Sequence, residues 1–484
     1  MTGQAFEDLT GEPIPSAMGA GPGPAFGGEF GPPSQGPSHR GPVGGTAAAA
    51  GARPGARRWW AWTCGVVLPV AALIAALIAT VLLDPAGGTS TGDGGPDGSG
   101  SPASSAVDRT RPDRLLDAHA AALLAGNEPG WMDVADPTRP DVVAWYRQLY
   151  STLRALRVTW LEYQIQGAPD GRYGPRAEQV YLRYCVGDVP CDWRSRHATT
   201  RLQLQFTERD DRWWVSDILD RADGWASALD PPPWLVEPLQ VRRGNGVIVA
   251  APAAVPAVAG KVDIVAVAAA KATGVVNRFA RPGTTPPTYL IYLAGSTQWK
   301  IWRDDPIDNA STVGVTTTNS PLQVVVILNM DRITPDKLDI VLRHEMGHVI
   351  TGFGESDTGT TPSTGDTGWA AEGIAEYISW TGQPQADYPR LRSIRTYVRT
   401  GRWNGILPIH IDGKDSLATD ATYGLNYLII RYLANTYSEP AMLHFIDELI
   451  RNGTTLKLAA REAFGQEWST ITTGITTHLQ QIAR

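Results

Sequence analysis

Residues 333–354 read ITPDKLDIVLRHEMGHVITGFG, and the pattern within them decides how this part of the chain folds. Thr334 suits an N-cap, Pro335 the first helical position and Gly352 the far end, so a helix is predicted between them. Its surround is apolar apart from Arg343 and the acid, lysine and histidine positions, which predicts a largely buried helix. His344 and His348 stand four apart and project from one face. That is the spacing two imidazoles need to share one zinc ion, with Glu345 alongside to take a proton from water. Two buried histidines satisfied by hydrogen bonds are the plainer alternative. They would leave the Glu345 carboxylate buried without a reason, at a cost on the order of several kcal/mol.

A catalytic zinc takes three protein ligands and keeps one position open. The stretch 367–382, TGWAAEGIAEYISWTG, predicts a second short helix whose alanines and Gly373 permit close packing. Glu372 and Glu376 are four apart on one of its faces. One can ligate the metal while the other accepts a hydrogen bond from a ligand histidine. A solvated acidic face fits poorly with Trp369, Ile374, Tyr377, Ile378 and Trp380 around them. Glu355, Asp357 and Asp366, in the polar loop between the helices, are weaker third-ligand candidates. His119, His197, His410, His444 and His478 have no partner at ligand spacing and read as structural or surface residues.

Together, H-E-x-x-H and the later W-x-x-E-G-x-A-E-Y resemble the gluzincin metallopeptidases, and the pattern is similar to the family called peptidase MA-like. The resemblance covers about residues 245–484. It implies an α+β catalytic domain of thermolysin-like form, a small sheet plus a helical bundle. One Zn2+ would be held by His344, His348 and Glu372, with Glu345 as general base and Glu376 bonding a ligand histidine. It also implies that Tyr423 falls where aminopeptidase-type members place a tyrosine donating to the tetrahedral intermediate; a core tyrosine is the alternative. A metzincin site would need a third ligand at position 354, which is Gly354. Two departures stand out: 23 residues separate His348 from Glu372, and no G-x-M-E-N motif precedes the site. Aminopeptidase specificity therefore does not carry over, and an endopeptidase acting on a peptide or protein substrate is expected. A catalytically inactive domain serving as an interaction module is the rival, against which the intact Glu345 argues. The strand 324–329 (VVVILN) is the expected edge along which an extended peptide aligns.

Upstream, composition divides the chain. Residues 1–58 are rich in Gly, Pro, Ala and Ser and read as a disordered tail. Residues 59–83, WWAWTCGVVLPVAALIAALIATVLL, carry no charge over 25 residues, long enough to span a lipid bilayer. Arg53, Arg57 and Arg58 precede this run, and the next basic residue is Arg109. A single-pass protein of the cell membrane is expected, N-terminus cytoplasmic and catalytic domain extracytoplasmic. Residues 84–111 read as a flexible linker. Over 112–228, two helical patterns and four alternating runs predict an α+β cone-like domain resembling the nuclear-transport-factor shape. Cys185 and Cys191 lie close in sequence and could form a disulfide; two free thiols remain open. The prolines of DPPPW mark a boundary before the 234–484 domain. A net charge of -7, without an evident basic stripe, sets nucleic acid aside as a partner.

Overall fold

A computed structural model describes residues 110–167, 176–221, 231–303, 312–354, 367–407, 409–411 and 415–484, all within one compact unit, Ser99–Arg484. The architecture is α+β. Helices α1 (Thr110–Ala125), α2 (Glu128–Met132) and α3 (Pro140–Ala155) come first. An antiparallel sheet follows, in the order β1 (Trp160–Gly167), β2 (Ala177–Cys185), β3 (Ala198–Arg209), β4 (Arg212–Ile218). The β3–β4 turn is made by Asp210 and Asp211, both at positive φ, as a tight two-residue hairpin requires. Cys185 and Cys191 are joined in a disulfide.

The second sheet contains β5 (Leu239–Gly244) and β6 (Val247–Pro252). Helix α4 (Val262–Val276) leads to β7 (Tyr289–Ala294), and α5 (Ser296–Arg303) to β8 (Gly314–Ser320) and β9 (Gln323–Asn329). Its order is β5-β6-β7-β9-β8, with β6, β7 and β9 mutually parallel and both flanking strands antiparallel. The central three strands are buried throughout, and the period of two assigns their side chains to two cores. Val249, Ile291 and Val326 join the helical core. Ile248, Leu290 and Val325 join the core that includes Leu123, Trp131 and Phe206 from the first half of the unit. The residues 324–329 therefore form an interior strand, not the expected edge. The edge beside the helices is β8.

Seven helices complete the fold: α6 (Leu338–Gly352), α7 (Gly368–Ser379), α8 (Leu391–Arg399), α9 (Ser416–Tyr437), α10 (Glu439–Ile450), α11 (Leu456–Phe464) and α12 (Trp468–Ala483). Helix α6 starts later than its capping pattern predicts. Lys337 N–H donates to Thr334 O at 3.0 Å and Leu338 N–H to Pro335 O at 3.4 Å, so a turn uses Thr334 and Pro335 before the helix begins.

The expectation of a transmembrane helix and a single-pass membrane location is corrected. Among the described residues no helix is long and apolar enough to cross a membrane; the longest, α9, carries Asp420 and Arg431. The 59–83 segment behind that expectation lies outside the described residues, as do the 1–58 tail and residues 84–109 of the linker.

Candidate metal centre

Small residues bring α7 between α6 and α9. A Cβ at Gly347 would lie 3.3 Å from Ala375 Cα, and one at Gly373 would lie 2.8 Å from Ile430 Cγ1 and 2.9 Å from Asn426 O. With no side chain in the way at either position, the backbones approach closely, and the polar faces of α6 and α7 meet.

Where they meet, three atoms converge. His344 Nε2 and His348 Nε2 lie 3.2 Å apart, and Glu372 Oε2 lies 3.3 Å from the first and 3.4 Å from the second. Zinc bound tetrahedrally at about 2.0–2.1 Å places neighbouring ligand atoms about 3.3–3.4 Å apart. The triangle therefore fits one face of such a coordination tetrahedron. Hydrogen bonding explains it less well, because Glu372 Oε2 is buried and makes no bond of ordinary hydrogen-bond geometry. Among the described residues these three side chains form the group able to hold a metal, their atoms all within 4.8 Å of one another. Glu355, Asp357 and Asp366 lie outside the described residues.

Glu376 has a different set of neighbours. Its Oε1 lies 3.5 Å from His344 Nδ1 and 3.1 Å from an Arg390 guanidinium nitrogen. Its Oε2 accepts from the Tyr388 hydroxyl at 2.6 Å. Burial pushes the Glu376 carboxyl up, but the Arg390 and His344 charges and the bonds from Tyr388 and Arg390 hold it below the usual range. Burial likewise pushes the His344 imidazole down. The close approach of Glu372 and the charges of Glu376, Glu345 and Glu372 outweigh that and carry it up to about 9. In the metal-free chain the surrounding carboxylates thus favour a cation at this point.

Glu345 is buried on the β8 side of α6. The Thr316 hydroxyl lies 2.9 Å from both its main-chain oxygen and its Oε2. A Cβ at Gly314 would come within 2.6 Å of Glu345 Oε1, so the strand leaves room for the carboxylate by having no side chain there. Tyr423, on α9, has its ring centre 6.2 Å from that of His344, and the Arg390 guanidinium lies 5.2 Å from the Tyr423 ring centre. Burial, then the charges of Glu372 and Glu345, push the Tyr423 phenol well above its ordinary value, with Arg390 opposing. His344, Glu345, Glu376, Arg390, Asp420 and Tyr423 line one cleft of about 700 Å³, walled on one side by residues 312–314.

Thr316, Tyr388, Arg390 and Asp420 are the members that sequence reasoning missed. Arg390 also pairs with Asp420. Arg390 and Tyr388 precede α8 and Thr316 sits on a strand, so no helical spacing links them to the histidines.

No protein-family profile matches the chain, and no curated protein matches it. Among solved structures, it is similar to a mutant of a two-domain M1 zinc metallopeptidase bound to L-tryptophan, at 14% identity and a TM-score of 0.29. That match covers 56% of this chain and 58% of the other, so the chain spans little more than half the length of that structure.

Proposed function

We propose that this chain is a zinc-dependent peptidase that cuts peptide or protein substrates internally. The observation that carries this reading is the triangle of His344, His348 and Glu372, with Glu345 in the adjoining cleft. Zinc held there supplies Lewis acidity toward a scissile carbonyl and makes water easier to deprotonate. Glu345 is the base that takes the proton, its carboxylate held by the Thr316 hydroxyl. Glu376 Oε1, 3.5 Å from His344 Nδ1, favours a proton on that nitrogen and so leaves Nε2 for the metal. An extended substrate aligns along β8, the strand at the end of the sheet order, whose first residue Gly314 walls the cleft together with Thr312 and Val313 just before it. Because its phenol stays protonated at neutral pH, Tyr423 can donate to the developing oxyanion.

Metal analysis of the purified protein, combined with a peptide-library digest, tests the reading. One zinc per chain and internal cuts are expected. A protein that holds zinc but cuts no peptide would instead be a binding module, and one that holds no metal would be neither.

Tyr423→Phe separates a catalytic from a packing role. Losing one oxyanion donor typically costs about 100- to 1,000-fold in turnover, so kcat should fall with KM and zinc content little changed. Unchanged kcat with a slightly lower Tm would mark Tyr423 as a core residue.

A further inference from the structure

The segment 388–411, YPRLRSIRTYVRTGRWNGILPIHI, holds five arginines and no acidic residue, in a chain whose net charge is -7. Whole-chain charge hides this local excess. Helix α8 occupies its first half and separates the arginines by face. Leu391 and Ile394 are buried. Arg390 and Ser393 line the cleft. Arg392, Arg395 and Arg399 follow one another at spacings of three and four and are exposed, so they share the outer face.

Surface arginines ordinarily answer acids three or four positions away or on a neighbouring helix. Here none do. Among the described residues, no carboxylate lies within ion-pair distance of Arg392, Arg395 or Arg399, whereas Arg390 and Arg402 have such partners. Helix α12, whose Ile482 main-chain oxygen accepts from Arg395 Nε at 3.2 Å, reads WSTITTGITTHLQQIA and holds no carboxylate side chain. Arg399 Nε donates to Arg395 O at 3.2 Å. These bonds fix the roots of two guanidinium groups and leave their outer nitrogens without an acidic partner. Like charges one turn apart weaken a helix, and Arg392 sits in the first turn, where the helix dipole disfavours a cation. The C-terminal ends of α12 and α8 offset it in part for Arg395 and Arg399, but no carboxylate among the described residues completes the compensation. An anion on the outer face would.

We propose that the outer face of α8 is an exosite for an acidic stretch of the polypeptide substrate, next to the cleft that cuts it. This rests on the reading of the cleft as a peptidase site. One short segment supplies both surfaces, with Arg390, just before the helix, and Ser393 at the cleft and the three arginines of α8 turned outward. A substrate leaving the cleft can therefore meet them over a short path. From Arg392 to Arg399 the row is only about 10 Å long at helical rise. That suits a few carboxylates better than the continuous phosphates of a nucleic acid.

The test uses the full-length protein and two fluorescein-labelled 20-residue peptides sharing one apolar cleavable segment. One continues into five glutamates and the other into five glutamines. The glutamate peptide should bind roughly tenfold more tightly at low salt and lose that advantage when salt is raised severalfold. The triple variant Arg392→Glu, Arg395→Glu, Arg399→Glu should abolish the preference in binding and in kcat/KM, with cutting of the glutamine peptide unchanged. If that variant melts early, the triple Gln variant replaces it and should show the same loss. Equal binding of the two peptides, or a preference that survives the triple variant, overturns the exosite. So does tighter binding of oligouridylate or phosphatidylserine vesicles than of the glutamate peptide. Selective binding without any cutting would support the arginine face while sinking the peptidase reading. Equal cutting of both peptides would do the reverse.

Discussion

Replacing His344 with alanine is expected to leave a folded protein that holds no zinc, where the parent chain is expected to hold one. The triangle explains the size of the effect. His344 Nε2 lies 3.2 Å from His348 Nε2 and 3.3 Å from Glu372 Oε2, so its removal leaves two ligand atoms on one edge. Even altering a residue that only orients a ligand typically costs about 10- to 100-fold in metal affinity; losing a ligand should cost well beyond that. Peptide hydrolysis should fall to background with the metal. Glu376 keeps Arg390 and Tyr388 as partners, so the variant retains a compensated carboxylate at its centre and should melt cooperatively. Zinc content by mass spectrometry and Tm on the same preparation are the measurements. Stoichiometric zinc in the variant would remove His344 from the site.

The two histidines and the intervening glutamate were legible because a helix converts a spacing of four into a shared face. The same logic could not separate Glu372 from Glu376, since both lie on one face of α7. The motif resemblance assigns them different roles, and the distances differ between them: one Glu372 oxygen approaches both Nε2 atoms, whereas Glu376 faces His344 Nδ1 and is occupied by Arg390 and Tyr388. The substrate edge was misread for a physical reason. VVVILN is apolar at every residue but its last, Asn329, the mark of a strand covered on both faces. The actual edge, GVTTTNS, is mostly polar and largely half-buried, and without apolar alternation it carried a weaker strand signal. The arginine row went unseen because its charge is diluted over 484 residues. It emerges once α8 separates its buried and exposed faces.

Glu345→Gln is expected to keep zinc and lose hydrolysis, by about 100- to 10,000-fold if the carboxylate is the general base. The substitution suits this pocket. Glutamine has the length of glutamate, and its amide oxygen can still accept from the Thr316 hydroxyl, which lies 2.9 Å from Glu345 Oε2. The space left by Gly314, where a Cβ would come within 2.6 Å of Oε1, holds an amide nitrogen as readily as an oxygen. Neither metal ligand nor helix packing is disturbed, so zinc content and Tm should match the parent. What disappears is a lone pair basic enough to accept a proton near neutral pH. The loss should fall on kcat with KM little changed, because the missing interaction strengthens only as the proton moves. Glu345→Asp gives the complementary case: it keeps the base but draws it back by one methylene, out of reach of Thr316, and should be partly active because misplacement alone typically costs about 100-fold. A Gln variant as active as the parent would transfer the proton acceptor to another residue. A Gln variant that lost zinc would mean that Glu345 holds the metal rather than the proton.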